Sequence, residues 1–194
     1  MKKIILLILL LCATISLAQE NTDITSKKKD PAEPTATKFT YNENGLSPIQ
    51  ITINLNGFKK DDLREQAKAW LDEKFPDEKD VKVTIDNKSK LRYEASAYNV
   101  ICFGTGSDYR CEDIDYTLEI SFKNNEYKMK VVDMSYTSAS SKKDIKFDDS
   151  DFHDGKGNLK YDYKKVPDQI EIFLNGLNKS FLNFLNSVES TNEW

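Results

Sequence analysis

Few residues in this 194-residue chain have side chains that usually carry chemistry, and the cysteines come first among them. Cys102 and Cys111 flank the short segment 103–110, and Cys12 lies near the N-terminus. Three interpretations of the pair are open: a disulfide, a catalytic thiol that works with His153, and two buried free thiols. No signature of a thiol enzyme surrounds them, and the N-terminal segment predicts export to a compartment where disulfides persist. We therefore favour a disulfide, which would stabilise the fold by about 2–3 kcal/mol.

The single histidine, His153, leaves little material for a histidine-rich metal site or a His-dependent triad. It lies in the acidic segment 148–155, which at first sight looks like an EF-hand calcium loop. With Gly155 at the sixth position of such a loop, Phe152 falls at the third and Tyr161 at the twelfth, where Ca²⁺ needs oxygen ligands. We predict a solvated acidic loop, with a cation site of another kind as the alternative.

Two other patterns also fail as catalytic signatures. The Asp and His side chains of the acidic segment have no identifiable nucleophile beside them, so they offer no general acid–base site. Gly104 and Gly106 lack the lysine and the following helix of a phosphate-binding loop, and they predict a turn instead. The sequence therefore assigns no catalytic residue, no cofactor and no metal ligand.

The N-terminal segment predicts where the protein is located. Two lysines precede the unbroken apolar run 4–12, and the small residues within 16–18 form a cleavage signal before Gln19. This pattern is typical of a secretory signal peptide over residues 1–18, so we predict an exported protein, periplasmic or extracellular. A retained membrane anchor is an alternative, but the apolar run is too short to span a bilayer.

Lipidation at Cys12 is a second alternative for this segment. It is disfavoured because Leu11 stands where a lipidation signal needs a small residue. Removing residues 1–18 removes two lysines and no acid, so the net charge of the mature chain is −6 rather than −4. No later run of about 18 apolar residues occurs, and no transmembrane segment is predicted after signal removal.

Composition divides the mature chain into a linker and one domain. Residues 19–47 include the polar, proline-containing stretch 26–35, which has no hydrophobic periodicity and predicts a flexible linker. Residues 48–190 contain alternating and helical patterns and are predicted to form one α+β domain.

The domain is predicted to begin with a strand and a helix. Apolar and polar residues alternate over 49–55, which predicts a strand with one buried face. Asp62 and Glu65 have the spacing of a capping box, and the helix that they would open ends at Pro76.

Four strands are predicted next, the first two over 81–85 and 91–103 with a bulge near Tyr98. The other two form a hairpin about a two-residue turn at 124–125. A bulge at 131–132 is needed to keep apolar residues on one face throughout the hairpin. The predicted pairs are Phe122 with Tyr127, Ile120 with Met129, Leu118 with Val131, Glu119 with Lys130, Tyr116 with Met134, and Ile114 with Tyr136.

A polar loop of about thirty residues follows Thr137 and includes the acidic stretch 142–165. Pro167 and Asp168 then open a long helix whose apolar residues recur with helical periodicity from 170 to 188. This stripe predicts packing against the sheet. Its polar side is rich in Asn rather than in Lys and Arg, which argues against binding to a membrane surface.

The element order is strand, helix, four strands, helix, which favours a two-layer α+β domain with an antiparallel five-strand sheet and both helices on one face. This β-α-β-β-β-β-α order resembles a family of secreted bacterial domains of unknown function with a TATA-binding-protein-like (TBP-like) fold. The resemblance covers residues 48–136 and includes the strand 49–55, the helix end 69–71 and the strand 127–131. It implies the fold and no functional residue, because the family has no established activity.

We therefore expect an exported non-catalytic domain that binds a protein or a small ligand in the cell envelope. The alternative is an exported enzyme or ligand carrier with a pocket between the sheet and the C-terminal helix. A nucleic acid is not expected as the partner, because the mature chain is acidic and fold similarity does not imply shared function. The sheet face opposite the helices is predicted to be mixed in charge and to carry Gln50, Thr52, Asn54, Lys82, Thr84, Glu119, Ser121, Lys128 and Lys130.

Overall fold

The computed structural model describes residues 36–42, 44–77, 80–138, 141–145 and 152–191. Strands and two amphipathic helices make up most of these residues. These residues belong to the unit Pro34–Trp194. The predicted signal peptide and residues 19–35 of the predicted linker lie outside the described residues. The strands are β1 (Thr40–Asn42), β2 (Gly45–Ser47), β3 (Gln50–Asn54), β4 (Val81–Asn87), β5 (Lys90–Phe103), β6 (Arg110–Lys123), β7 (Glu126–Ser138) and β8 (Ser141–Asp144), and the helices are α1 (Lys60–Lys74) and α2 (Val166–Thr191).

The main sheet is antiparallel and has the order β3-β7-β6-β5-β4. These five strands confirm the predicted α+β sheet. The short strand β8 was not predicted, and it pairs with β7 over Ser135–Ser138. Strand β6 pairs with one edge of β7, so β3 and β8 both pair with its other edge, at different positions along the strand.

The hairpin of β6 and β7 has the predicted register. Phe122 pairs with Tyr127 and Leu118 pairs with Val131. The pairing then shifts, so that Thr117 lies opposite Asp133, which confirms the bulge at 131–132. The extra residue keeps the apolar side chains on one face, because side chains alternate strictly along a regular strand.

The predicted bulge in β5 is also confirmed. Pairing between β5 and β6 shifts between Ala97 and Ile101, and Asn99 adopts a positive φ of 54° there. The backbone N–H of Asn99 donates to the Asp113 carboxylate at 2.8 Å, so the irregular backbone still has a partner.

Helix α1 begins at Lys60, with Lys59 as its N-cap residue, and not at the predicted capping box. The N–H of Leu63 already bonds to the Lys59 carbonyl, which places Asp62 inside the first turn. The N–H of Lys60 is bound by the Asn124 side chain at 2.9 Å, from the turn between β6 and β7. A residue distant in sequence therefore caps this helix, which the local pattern could not indicate.

Both helices pack on one face of the sheet. Trp70 of α1 contacts Tyr93 of β5, with ring centroids 6.2 Å apart, and Phe181 of α2 at 5.2 Å. Phe181 also contacts Tyr127 of β7 at 4.9 Å. The predicted apolar stripe of α2 is confirmed, since Ile170, Leu174, Leu177, Phe181 and Leu185 are buried. Neither helix of the described chain is long and apolar enough to cross a membrane.

The described part of the predicted linker, residues 36–42 and 44–47, is structured. Strands β1 and β2 form a small hairpin, and Phe39, Tyr41 and Leu46 are buried in the core. The side-chain amide of Asn175 in α2 both donates to the carbonyl of Phe39 and accepts from its N–H, each at 2.9 Å. Residues 36–42 and 44–47 therefore belong to the domain, because three apolar side chains and a bonded backbone outweigh their polar neighbours in sequence.

The segment that follows Thr137 is anchored rather than a plain loop. Phe152 is buried and contacts Tyr136 and Tyr163, with ring centroids 6.3 and 5.3 Å apart. Ile145 is also buried. Residues 146–151 lie outside the described residues.

Candidate functional site

Cys102 and Cys111 form a disulfide, as favoured from the sequence. They are directly paired residues of β5 and β6, with Cα atoms 4.0 Å apart. The bond closes the loop that joins the two strands, and the N–H of Cys102 donates to the Gln169 side chain of α2 at 2.8 Å. Because both sulfur atoms are bonded, neither cysteine is available as a catalytic thiol.

The loop closed by the disulfide is a tight turn. Gly104 has φ +88°, and a Cβ at this position would overlap the carbonyl oxygen of Asp108. Gly106–Asp108 form a single 3-10 turn, and β6 follows it instead of a helix. The geometry therefore agrees with the predicted turn and has no resemblance to a phosphate cradle.

His153 and Asp154 are used to build a turn. Asp154 accepts hydrogen bonds from the backbone N–H groups of Lys156 and Asn158 at 2.8 and 2.9 Å. These backbone hydrogen bonds lower the pKa of the Asp154 carboxyl. His153 pairs with Leu159 in an isolated β-bridge, and its Nδ1 is buried without a hydrogen-bond partner. Among the described residues, no three His, Cys, Asp or Glu side chains are grouped so as to hold a metal ion.

The sheet face opposite the helices carries polar side chains that are aligned by the strand register and joined by ion pairs. We call it the open face. Its side chains come from all five strands of the main sheet, in positions that alternate with the buried core residues. They include Gln50, Thr52, Asn54, Lys82, Lys90, Arg92, Glu94, Ser96, Asp115, Thr117, Glu119, Ser121, Lys123, Glu126, Lys128, Lys130 and Asp133.

One end of the open face is basic, and we call it the basic half: Lys90, Arg92, Lys128 and Lys130 around Glu119. The Glu119 carboxylate is only 7% exposed. One oxygen accepts from Lys90 Nζ at 2.8 Å, and the other accepts from Arg92 Nε and Nη2 at 3.1 and 2.6 Å. Burial raises the pKa of Glu119, but the hydrogen bonds from Lys90 and Arg92 outweigh it, and the net pKa is lowered.

The other end of the open face is an acidic concavity of about 390 Å³, which we call the acidic hollow. It is lined by short side chains and four exposed carboxylates, those of Asp80, Glu94, Asp115 and Asp133. Ser96 donates to Asp115 at 2.7 Å, and Lys82 forms an ion pair with Glu94 at 3.6 Å. The two ends of one sheet face therefore have opposite charge.

The two halves are adjacent in the sheet. Glu119 of the basic half lies opposite Arg92 on one side and Lys130 on the other. In the next outward-facing row, Thr117 lies opposite Glu94 and Asp133. Rows on the same face are about 6.8 Å apart along a strand.

Further concavities of the described residues include two that lie away from the open face. A groove of about 530 Å³ lies between the helices and is lined by Trp70, Lys179 and Phe184 with other residues. A smaller one of about 280 Å³ lies beside the disulfide, near the exposed rings of Tyr109 and Tyr161. Both are open surface grooves with no partnerless buried polar group among their lining residues.

The predicted open-face residues are partly confirmed. Lys82, Glu119, Ser121, Lys128 and Lys130 lie on this face. Gln50 and Asn54 also lie on it, and so does Thr52, which pairs with Lys128 but is buried. Thr84 differs, because it lies at a bulge of β4, where its hydroxyl donates to the Arg92 carbonyl at 3.4 Å.

Apart from Glu119, the acidic side chains of this face are not among those predicted from the sequence. Strict alternation in β5 and β6 places Arg92, Glu94 and Asp115 on the other face of the sheet from the apolar residues. This alternation is visible in the sequence. The register between strands is also needed to show which of these charges are neighbours.

The domain has two layers, an antiparallel sheet and two helices that pack on one face of it. This is the architecture of a TBP-like α+β domain. Residues 50–137 match the family described as a domain of unknown function (DUF4468) with TBP-like fold. Among curated proteins, none matches the chain.

Two solved structures share the fold. One is a DUF4468 family protein from Bacteroides ovatus ATCC 8483, with 11% identity and a TM-score of 0.58, covering 70% of this chain and 83% of that one. The other is a TBP-like protein from Parabacteroides distasonis ATCC 8503, with 16% identity and a TM-score of 0.53, covering 70% and 89%. At these identities the likeness concerns the fold alone.

Proposed function

We propose that this protein is an exported, non-catalytic binding domain of the cell envelope that recognises a protein through its open face. The observation that carries the proposal is the division of this face into a basic half and an acidic hollow. Ion pairs hold several of these side chains in place before any partner arrives. A preorganised charge pattern of this kind gives selective recognition of a complementary surface.

A protein is favoured over a small ligand by the shape of the surface. Small molecules are usually bound in concave, mostly apolar pockets. The open face is broad, and its concave part is lined mainly by Ser, Thr, Asp, Glu and Lys side chains. Such a surface fits a large polar partner better than a small enclosed ligand.

The alternative of an enzyme or carrier requires a pocket between the sheet and α2. The apolar stripe of α2 packs on the sheet there, and Leu174, Phe181 and Leu185 are fully buried. No observation among the described residues favours this alternative.

Export is supported by the predicted signal peptide and is compatible with the disulfide, since disulfides persist in oxidising compartments. The domain would therefore meet its partner outside the cytoplasm. The partner is sought in envelope extract for this reason.

The proposal is tested by affinity capture with the immobilised mature chain, residues 19–194. Wild type is compared with Lys128→Glu/Lys130→Glu, which reverses the basic half. The matched control is Lys156→Glu/Lys179→Glu, which makes the same charge change at two exposed positions outside the open face. We expect wild type and control to retain the same envelope protein and the basic-half variant to lose it. Equal capture by all three, or no specific capture, would contradict the proposal.

A further inference from the structure

The two halves of the open face complement each other. At one end of the strands, four cationic side chains surround Glu119 beside the Lys123–Glu126 ion pair, and at the other end four carboxylates and Lys82 line the hollow. We propose that the open face is an interface between two copies of this chain, with the basic half of each copy on the acidic hollow of the other. This inference rests on the proposed function, because it names the protein that the same surface binds.

The sheet geometry allows this arrangement with a single two-fold axis. The axis lies between the two sheets and runs across the strands. Rotation about it turns the faces toward each other and reverses the strand direction, so each charged row meets the row of opposite sign. An interface of this type is isologous, because the same surface is used by both copies.

The basic half and the acidic hollow are also complementary in shape. The basic half presents long side chains, and Lys90 and Arg92 are 46% and 34% exposed. The acidic hollow is lined by short side chains, including Ser96, Asp115 and Asp133, around a volume of about 390 Å³. Long cationic side chains of one copy can therefore enter the hollow of the other.

The size of the surface predicts a weak dimer. Five strands about 4.8 Å apart, each contributing about seven consecutive residues at about 3.4 Å per residue, give roughly 500 Å² per copy and about 1,000 Å² in total. This is the lower limit for a specific interface. Because the contacts are between exposed charges, we expect association that is reversible and weakens as salt is added.

A uniformly charged polymer fits this face less well than a second copy. An anionic chain such as a nucleic acid would be attracted by the basic half and repelled by the adjacent acidic hollow. Only a partner with both signs in the matching order satisfies the whole surface, and this chain has such a pattern on its own open face.

The test is sedimentation equilibrium of the mature chain over a range of concentrations at low and high salt. We expect wild type to dimerise and the dimer to dissociate at high salt. Lys128→Glu/Lys130→Glu places acid against acid, and Glu94→Lys/Asp133→Lys places base against base. Each should raise the dimer dissociation constant about tenfold or more. Lys156→Glu/Lys179→Glu should leave it unchanged.

The decisive measurement is a mixture of the two face variants. One has two acidic halves and the other has two basic halves, so a mixed dimer regains both contacts. We expect a 1:1 mixture to associate at least as strongly as wild type, while circular dichroism shows that both variants remain folded.

A wild type that stays monomeric at every concentration and salt level overturns the inference, as does a mixture that fails to associate. If wild type is monomeric but still captures an envelope protein through the open face, the inference fails and the proposed function stands. If the capture experiment also fails, both are wrong.

Discussion

At the scale of single residues, two buried tyrosines differ in whether the side-chain hydroxyl has a hydrogen-bond partner. The hydroxyl of Tyr127 donates to Asn178 at 2.7 Å in the core. The hydroxyl of Tyr93 is fully buried and has no hydrogen-bond partner. Burial raises the pKa of both groups well above the usual tyrosine range, so both stay protonated near neutral pH.

These two tyrosines form a matched pair of substitutions. Tyr93→Phe removes a buried unsatisfied hydroxyl, and we expect unchanged or increased stability, by up to about 1–2 kcal/mol. Tyr127→Phe breaks a bond and leaves Asn178 unsatisfied, and we expect a loss of about 1–2 kcal/mol. Urea unfolding of both variants measures the difference. Destabilisation by Tyr93→Phe equal to that by Tyr127→Phe would show that the Tyr93 hydroxyl has a partner.

The Glu119 cluster predicts a pH dependence. The folded-state pKa of Glu119 lies below its ordinary value of 4.5, so its contribution to stability is fully present above about pH 4.5 and is lost as pH falls through the lower folded pKa. We expect Glu119→Gln to lower the free energy of unfolding by about 1–2 kcal/mol at pH 7. This difference should shrink below pH 4.5. A difference that stays constant with pH would contradict the assignment.

At the scale of elements, α2 does more than cover the sheet. Its polar side chains bind other elements: Gln169 binds the backbone of β5, Asn178 binds Tyr127 of β7, and Asn175 binds Phe39 beside β1. Glu171 also accepts from the N–H of Tyr41 at 2.7 Å. The helix therefore fixes the N-terminal hairpin as well as one end of the long strands.

Asn175→Ala tests this role. It removes two hydrogen bonds to Phe39, and we expect a loss of about 1–2 kcal/mol, since the backbone groups of Phe39 are left unpaired. Hydrogen exchange should show faster exchange of the Phe39 amide. Asn183→Ala, at an exposed position of the same helix, is the control and should not reduce stability. Unchanged protection of Phe39 in Asn175→Ala would refute the role.

At the scale of the whole molecule, the fold has one packed face and one charged face. The packed face buries aromatic side chains of both helices and the sheet. The charged face remains open to a partner, and the disulfide fixes one end of the hairpin between β5 and β6. This division suits the proposed binding role, because the charged side chains are displayed together on one sheet face.

Processing and oxidation can be checked together on the intact protein. We expect the exported chain to begin at Gln19, because the cleavage signal ends at Ala18. The two remaining cysteines should resist alkylation until a reductant is added. Mass spectrometry with and without reductant measures both. A retained leader, a lipid on Cys12, or two reactive thiols in the native protein would contradict this prediction.

Elements that depend on neighbouring residues alone can be predicted from local sequence patterns. Alternation and the turn at 124–125 set the register of β6 and β7, including the bulge, because shifting a strand by one residue would expose its apolar side chains. The 3.6-residue periodicity of 170–188 defined α2 and its buried stripe for the same reason. The cysteine pair was predictable because the two residues flank one short loop between strands.

Tertiary structure alone decided the rest, because it depends on residues distant in sequence. Asn124 caps α1 across 64 positions, and Asn175 binds Phe39 across 136. The open face follows the same rule. Glu94, Asp115 and Asp133 lie on three different strands, and only the pairing of those strands collects them into one acidic hollow beside a basic half. Local patterns indicate which face a side chain takes, whereas the register between strands decides which charges become neighbours.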